Sequence, residues 1–195
     1  MNNKKNLAGI AFLIGLCISC SLSIYQIRTR QCWLWTCAPA RTFSVFDLTL
    51  ADHLLPGNTT VNPMVPPSES IGVESGNISF FWRENGNLYG GVVDVDRYGT
   101  EKAAKASFES GLYWRSRGSY EAHPEITYKS PIAEEFLIGC GSSMFDNGYQ
   151  CSLMARYQEY LVDFNSSISE QMSELQFEQI VIDIDQQMIT FLGQE

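Results

Sequence analysis

The spacing of hydrophobic residues changes several times along this chain of 195 residues, and each spacing predicts a different element. Leu7–Tyr25 carries no charge, and its length is close to the roughly 20 residues that a helix needs to cross a bilayer. From Ile78 onward, hydrophobic and polar residues alternate, which is typical of a strand with one buried face. Near the C-terminus hydrophobic residues recur every three or four positions, as on one face of a helix.

The alternating segments predict an antiparallel sheet. Residues 78–82 and Tyr89–Arg97 flank Asn85-Gly86, a strong hairpin signal, and Gly90-Gly91 predicts a bulge or a close approach of two backbones. Further strands are predicted over Ile126–Tyr128, Glu135–Cys140, Gln150–Tyr157 and Glu159–Ser166.

Helical patterns lie between and after these strands. A short helix is predicted over Asp47–Leu55, followed by a long loop over residues 58–76, which are rich in Pro, Ser, Gly and Asn. Thr100 is the expected cap of a helix over Glu101–Arg115. Ser173 is the expected cap of the last helix, whose predicted inward stripe is Phe177, Ile180, Val181, Ile184, Met188 and Phe191. The predicted fold class is α+β, with about five to six antiparallel strands packed by two or three helices.

The uncharged N-terminal segment is typical of export. An uncleaved transmembrane anchor over Leu7–Tyr25 is the favoured interpretation; cleavage as a signal peptide and lipidation at Cys20 are the alternatives. The anchor predicts a cytoplasmic N-terminus over residues 1–6, a tether over residues 26–46 and an extracytoplasmic domain over residues 47–195. We therefore expect a single-pass protein of a bacterial cytoplasmic membrane, or a secreted protein or lipoprotein under the alternatives.

Four cysteines follow the apolar segment, and an oxidising compartment would allow three ways of pairing them. The simplest is local: Cys32 with Cys37, and Cys140 with Cys151, since each pair spans a short segment. A zinc site is the rival hypothesis, but the spacings do not match common zinc ribbons.

The formal net charge of −9 argues against nucleic acid as a partner, because a polyanion would be repelled. The predicted partners are the membrane, through the N-terminal helix, and an unidentified protein or small ligand. No cofactor, metal site or catalytic residue is predicted.

Few residues suggest chemistry. Neither His53 nor His123 has another histidine or a cysteine at metal-ligand spacing, and Gly139–Ser143 lacks the nucleophile-elbow pattern. Asp94 and Asp96 are interpreted as solvent-facing strand positions. Asp183 and Asp185 are interpreted as a solvated helix edge.

One aromatic and basic cluster follows the Glu101–Arg115 helix pattern. A ligand or partner could contact it, because aromatic rings stack and arginine binds carboxylates. A helix end with core aromatics is the favoured alternative. The candidate contact residues are Tyr113, Arg115, Arg117 and Tyr120.

Two short motifs carry a resemblance. The run Tyr98-Gly-Thr-Glu-Lys-Ala-Ala and the run Ala155-Arg-Tyr-Gln-Glu-Tyr-Leu-Val-Asp-Phe, with a cysteine hairpin between them, resemble uncharacterised, singly membrane-anchored exported bacterial proteins. The order of elements is also similar to sensor-like extracytoplasmic domains and to the PsbP-like fold of photosystem II. The resemblance implies helices packed on an antiparallel sheet and carries no catalytic residues.

These observations favour a non-catalytic binding, sensor or envelope accessory module, presenting the residue 58–76 loop or a sheet face. One alternative is an exported hydrolase with a site near Glu121 and His123. The other is a purely structural envelope protein.

Overall fold

The computed structural model describes residues 14–15, 17–21, 23–24, 32, 37–66, 73–115, 121–142 and 148–193. For residues 112–115 it describes the backbone but not the side chains. The described residues between 14 and 24 are helical. Much of the predicted Leu7–Tyr25 span lies outside this part of the chain. No helix among the described residues combines the length and apolar character needed to cross a membrane.

The domain is α+β, as predicted, and its sheet has six antiparallel strands in the order β1-β2-β3-β6-β5-β4. Two helices follow strands of this sheet: α1 (Glu101–Arg115) comes after β3, and α2 (Glu174–Leu192) comes after β6. The strands are β1 (Thr60–Val65), β2 (Glu74–Glu84), β3 (Asn87–Arg97), β4 (Glu135–Ser142), β5 (Tyr149–Tyr157) and β6 (Tyr160–Ser167).

Local sequence signals explain the element ends. Asn85 and Gly86 both have positive φ, 52° and 83°, as the tight turn between β2 and β3 requires. The Thr100 hydroxyl accepts a hydrogen bond from the Ala103 amide at 3.0 Å, and the Ser173 hydroxyl accepts one from Gln176 at 3.2 Å. Both predicted caps are therefore confirmed, and each satisfies an amide that the first helical turn leaves free.

Strand register divides the sheet into two faces. Phe80, Val93 and Phe164 lie on the face covered by α2, which we call the α2 face. Its core also contains the predicted α2 stripe, of which all but the partly buried Phe191 are fully buried. Phe164 and Phe177 stack with their ring centroids 4.6 Å apart, joining β6 to the helix.

The described residues cover the opposite face, the α1 face, over only part of its area. Phe108 and Ala104 of α1 pack on Met154 of β5 and Leu161 of β6. Toward the β2–β3 turn the same face exposes Phe81 and Leu88. The helix therefore closes one end of this face and leaves the other accessible to solvent.

Two predicted elements before β2 are wrong. The Asp47–Leu55 helix is replaced by two 3₁₀ turns, Val45–Asp47 and Asp52–Leu54, because Leu48 and Leu50 turn toward the core between them instead of continuing one helical stripe. The predicted loop over residues 58–76 contains β1 and the first residues of β2. Proline is compatible with β1 because this strand lies at the edge of the sheet, where Pro63 removes no essential ladder hydrogen bond.

Two smaller predictions also need correction. Ile126–Tyr128 is not a strand; the amides of Thr127 and Tyr128 instead donate to the Glu178 carboxylate on α2, at 2.7 and 2.6 Å. At Gly90-Gly91 the β2–β3 register is continuous, so there is no bulge, but the predicted close approach is present. A register shift occurs instead in β1, between Asn62 and Val65.

Both predicted cysteine pairs lie at disulfide distance. The Cα atoms of Cys32 and Cys37 are 5.0 Å apart, and those of Cys140 and Cys151 are 4.1 Å apart. The second pair joins directly opposite residues of β4 and β5. Its short Cα distance is typical of a pair that shares no backbone hydrogen bonds across the ladder. The backbone of Cys140 instead exchanges two hydrogen bonds with that of Glu121, on the side away from β5.

Candidate functional site

The open part of the α1 face contains a shallow depression, which we call the trough. It crosses β2, β3, β6 and the start of β5 and encloses about 370 Å³. Phe81 and Leu88 lie on one side of it, and Asn165 lies on the other. The lining residues are Ser79, Phe81, Leu88, Tyr89, Gly90, Gly91, Val92, Gln150, Asn165, Ser166 and Ser167.

Two glycines of β3 line the trough, and each faces a phenylalanine across the β2–β3 ladder. Gly90 is opposite Phe81, and Gly91 is opposite Phe80. A Cβ at Gly90 would lie 2.8 Å from Cδ1 of Phe81, so the ring lies across the glycine on the α1 face. A Cβ at Gly91 would lie 2.3 Å from Cζ of Phe80 on the α2 face. Any side chain at either position would displace a ring.

Amide and hydroxyl groups surround the Phe81 ring. The Asn62 amide donates to the Ser79 hydroxyl at 2.9 Å, and the Asn165 amide donates to Asp163 at 2.6 Å. The Asn165 side-chain oxygen accepts a hydrogen bond from Ser152. These bonds hold the polar side chains in place, and a carboxamide such as that of Asn165 carries two N–H donors.

Three carboxylates, those of Asp94, Asp96 and Asp163, lie on the α1 face next to the trough. Asp94 faces Asp163 across the β3–β6 ladder, and Asp96 lies two residues farther along β3. Burial raises the pKa of Asp94, with a further contribution from Asp163 and an opposing one from the Asn77 hydrogen bond. Burial likewise raises the pKa of Asp96. These acids are half-buried, which corrects the prediction that they face solvent.

A second cavity of about 270 Å³ lies where residues 37–41 meet the end of β3 and the following Tyr98-Gly99. The Arg41 side chain is 1% exposed, and its Nε and Nη2 atoms each lie 2.8 Å from one oxygen of the fully buried Glu159. Arg97 also lines the cavity, donates to the Pro39 carbonyl and lies 3.5 Å from Glu159. Glu74 also faces Arg97 across the ladder, so the carboxylates of Glu74 and Glu159 largely neutralise the positive charges of the two arginines. The arrangement fastens the tether to the domain.

The two residues of the hydrolase hypothesis, Glu121 and His123, lie in the segment before β4. His123 Nε2 lies 3.8 Å from Glu174 on α2, and the Glu121 backbone pairs with Cys140. His53 is exposed. Among the described residues, no three His, Cys, Asp or Glu side chains are grouped to hold a metal.

The prediction that Asp185 lies on a solvated edge is wrong. It is fully buried and accepts hydrogen bonds from the hydroxyls of Tyr157 and Tyr128, at 2.9 and 2.6 Å. Burial, together with the neighbouring Asp185 carboxylate, raises the pKa of both tyrosines, so they remain protonated donors. With Glu178, this carboxylate holds the chain before β4 against α2.

The predicted aromatic and basic cluster is not tested by the structure. The side chains of Tyr113 and Arg115 lie outside the described residues, as do Arg117 and Tyr120 entirely. The trough was not predicted as a site. Its only sequence signal is the pairing of Phe80-Phe81 with Gly90-Gly91, which the Asn85-Gly86 turn brings into register.

Neither a protein family, nor a curated protein, nor a solved structure matches this chain. The resemblance inferred from the two short motifs therefore stays a prediction.

Proposed function

We propose that this protein is a membrane-tethered, extracytoplasmic binding module without catalytic activity, and that the trough is its binding surface. The observation that carries the proposal is the exposed Phe81 ring on the open part of the α1 face. An antiparallel sheet commonly leaves one face in water, and that face then carries mainly polar side chains. Here the open half combines an exposed aromatic ring with hydrogen-bonded amides and hydroxyls.

The cysteine pairs and the N-terminal segment support the location outside the cytoplasm. Disulfides persist in oxidising compartments, and both pairs lie at bonding distance. The tether begins directly after the uncharged Leu7–Tyr25 segment, and Arg41 joins it to Glu159 through a buried ion pair. A domain anchored in this way suits a module that presents a surface to envelope components.

The binding surface can be tested by mapping small probes on the full-length protein in dodecylphosphocholine micelles. The panel consists of trilysine, triglutamate, trialanine, cellotriose and chitotriose, followed by amide chemical shifts. We expect at least one probe to shift the amides of Gly90, Gly91 and Asn165. Leu88 lines the trough and is 62% exposed. Leu88→Glu should abolish those shifts, because it replaces an apolar contact surface by a charged side chain.

Leu175→Glu is the matched control, since Leu175 is 54% exposed on α2, away from the trough. It should leave the probe shifts unchanged. Shifts that map only to other surfaces, or none with any probe, would contradict the proposed surface and favour a structural envelope role. Turnover that depends on His123 would favour the hydrolase.

The compartment and the anchor can be tested by the intact mass of the protein purified from membranes. We expect a mass that retains the first residues, with Cys32, Cys37, Cys140 and Cys151 alkylated only after reduction. Loss of the N-terminal segment would indicate cleavage. Free alkylation of those four cysteines without reduction would refute the oxidising location.

A further inference from the structure

The trough presents a flat aromatic surface. Phe81 is 40% exposed, and one side of its ring lies against the Gly90 backbone, so the other side faces solvent. The electron-rich face of an aromatic ring attracts groups with partial positive charge, including polarised C–H bonds. A ligand with a flat C–H surface would therefore pack on this ring.

The lining is polar but uncharged. None of the residues that line the trough carries a formal charge, and Asn165, Ser79, Ser167 and Gln150 supply amide and hydroxyl groups. An anionic ligand would find no opposite charge within the trough, and a cationic one would meet carboxylates only beyond it, at Asp94, Asp96 and Asp163. A purely apolar ligand would bury these polar groups without replacing their hydrogen bonds to water, which is costly.

An extended peptide would also be poorly recognised. The trough lies on the face of paired strands β2, β3, β6 and β5, whose backbone groups are engaged in the sheet ladder. Strand addition requires a free edge. Recognition here must use side chains alone, with a ligand that offers many hydroxyl groups around a compact ring.

We infer that the trough binds a neutral saccharide, with the C–H face of a sugar ring on Phe81 and its hydroxyls bonded to Asn165, Ser79 and their neighbours. This inference rests on the proposed function and names its ligand class. The trough volume of about 370 Å³ lies near the lower end of the usual range for ligand sites, about 300 to 1,000 Å³, which suits one or two sugar rings.

The test uses cellotriose and chitotriose with the full-length protein in a phosphocholine detergent, because maltoside detergents would compete. We expect at least one of them to shift the trough amides. Phe81→Ala should weaken that binding about fivefold, the usual contribution of one aromatic contact. Phe81→Trp should bind at least as tightly as the wild type.

Two further variants separate stacking from folding. Gly90→Val retains Phe81 but displaces its ring, since a Cβ there lies 2.8 Å from it, so saccharide binding should be lost. Phe46→Ala removes a ring that is equally exposed, at 40%, in the Val45–Asp47 turn, and should have no effect. The dispersion of the amide spectrum reports whether each variant is folded.

The outcomes distinguish this inference from the proposed function. If a tripeptide shifts the trough amides and neither trisaccharide does, the saccharide inference is wrong and the binding surface stands. If no probe shifts them, both are wrong. Trisaccharide binding that Phe81→Ala and Gly90→Val leave unchanged would also overturn the inference.

Discussion

The two faces of the sheet are built from alternate residues of the same strands, yet they differ in hydrophobicity and in how completely a helix covers them. On the α2 face, Phe80, Phe164 and Phe177 pack in one continuous core under a long helix. On the α1 face, the neighbouring positions carry Phe81 and Asn165, and only one end is covered. Adjacent residues therefore serve stability in one case and an accessible surface in the other.

The pair Phe80 and Phe81 makes this difference concrete. Both rings cover a glycine of β3, so both positions satisfy the same local packing requirement. Phe80 is fully buried beneath α2, whereas Phe81 is 40% exposed. Local sheet packing alone thus explains the glycines, but it does not explain why an aromatic ring is exposed to water.

The largest expected effect comes from the α2 face. Phe177→Ala should lower the free energy of unfolding by about 4 kcal/mol, because it removes a fully buried ring and leaves a cavity. Phe81→Ala should cost less than about 1 kcal/mol, since much of that ring is already in water. Urea denaturation of the full chain measures both. Equal losses would mean that the two faces contribute alike to stability.

A somewhat smaller loss is expected where the tether meets the domain. Arg41→Ala leaves the Glu159 carboxylate buried without its bidentate partner, so stability should fall by about 3 kcal/mol. Exposed Arg83 is the control, and Arg83→Ala should change stability by less than about 0.5 kcal/mol. Replacing both Arg41 and Glu159 by Met should recover much of the loss. An Arg41→Ala variant as stable as the wild type would show that the fastening has no energetic role.

The smallest effect is expected on the α1 face and depends on pH. Burial raises the pKa of Asp94 from its usual 3.8, so the folded protein binds that proton more tightly than the unfolded chain does. As the pH rises through the raised pKa, the wild type loses stability that Asp94→Asn retains. At pH 7 the variant should be more stable by up to about 1 kcal/mol, because it removes a charge that burial and the facing Asp163 both disfavour.

That advantage should vanish below pH 3.8, where the carboxyl is protonated in both states. Thermal unfolding of both proteins across the acid range measures it. The exposed Asp52 provides the control, and Asp52→Asn should show no comparable trend. An Asp94→Asn variant that is less stable at neutral pH would mean that this carboxylate has a stabilising partner.

Much of the fold could be predicted from sequence because its signals are local. The Asn85-Gly86 turn, the caps at Thr100 and Ser173, and the α2 stripe each depend on residues only a few positions apart. β1 was missed because an edge strand with Pro63 is exposed on both faces and has no alternating pattern. Burial of Asp185 was missed because its partners, Tyr128 and Tyr157, lie far away in sequence.

The trough was harder to predict for the same physical reason. It depends on register between β2 and β3, and on where α1 stops covering the face, which no local pattern encodes. Phe81 looks like any other strand residue until its partner Gly90 is known.

The fastening at Arg41 also fixes how far the trough lies from the point where the tether joins the domain. Arg97, at the fastened end of β3, and Gly90, in the trough, are separated by seven residues of one strand, or about 20 Å. If Leu7–Tyr25 crosses a bilayer, the chain enters the domain at this end, and the sheet acts as a rigid spacer of that length between the entry point and the trough.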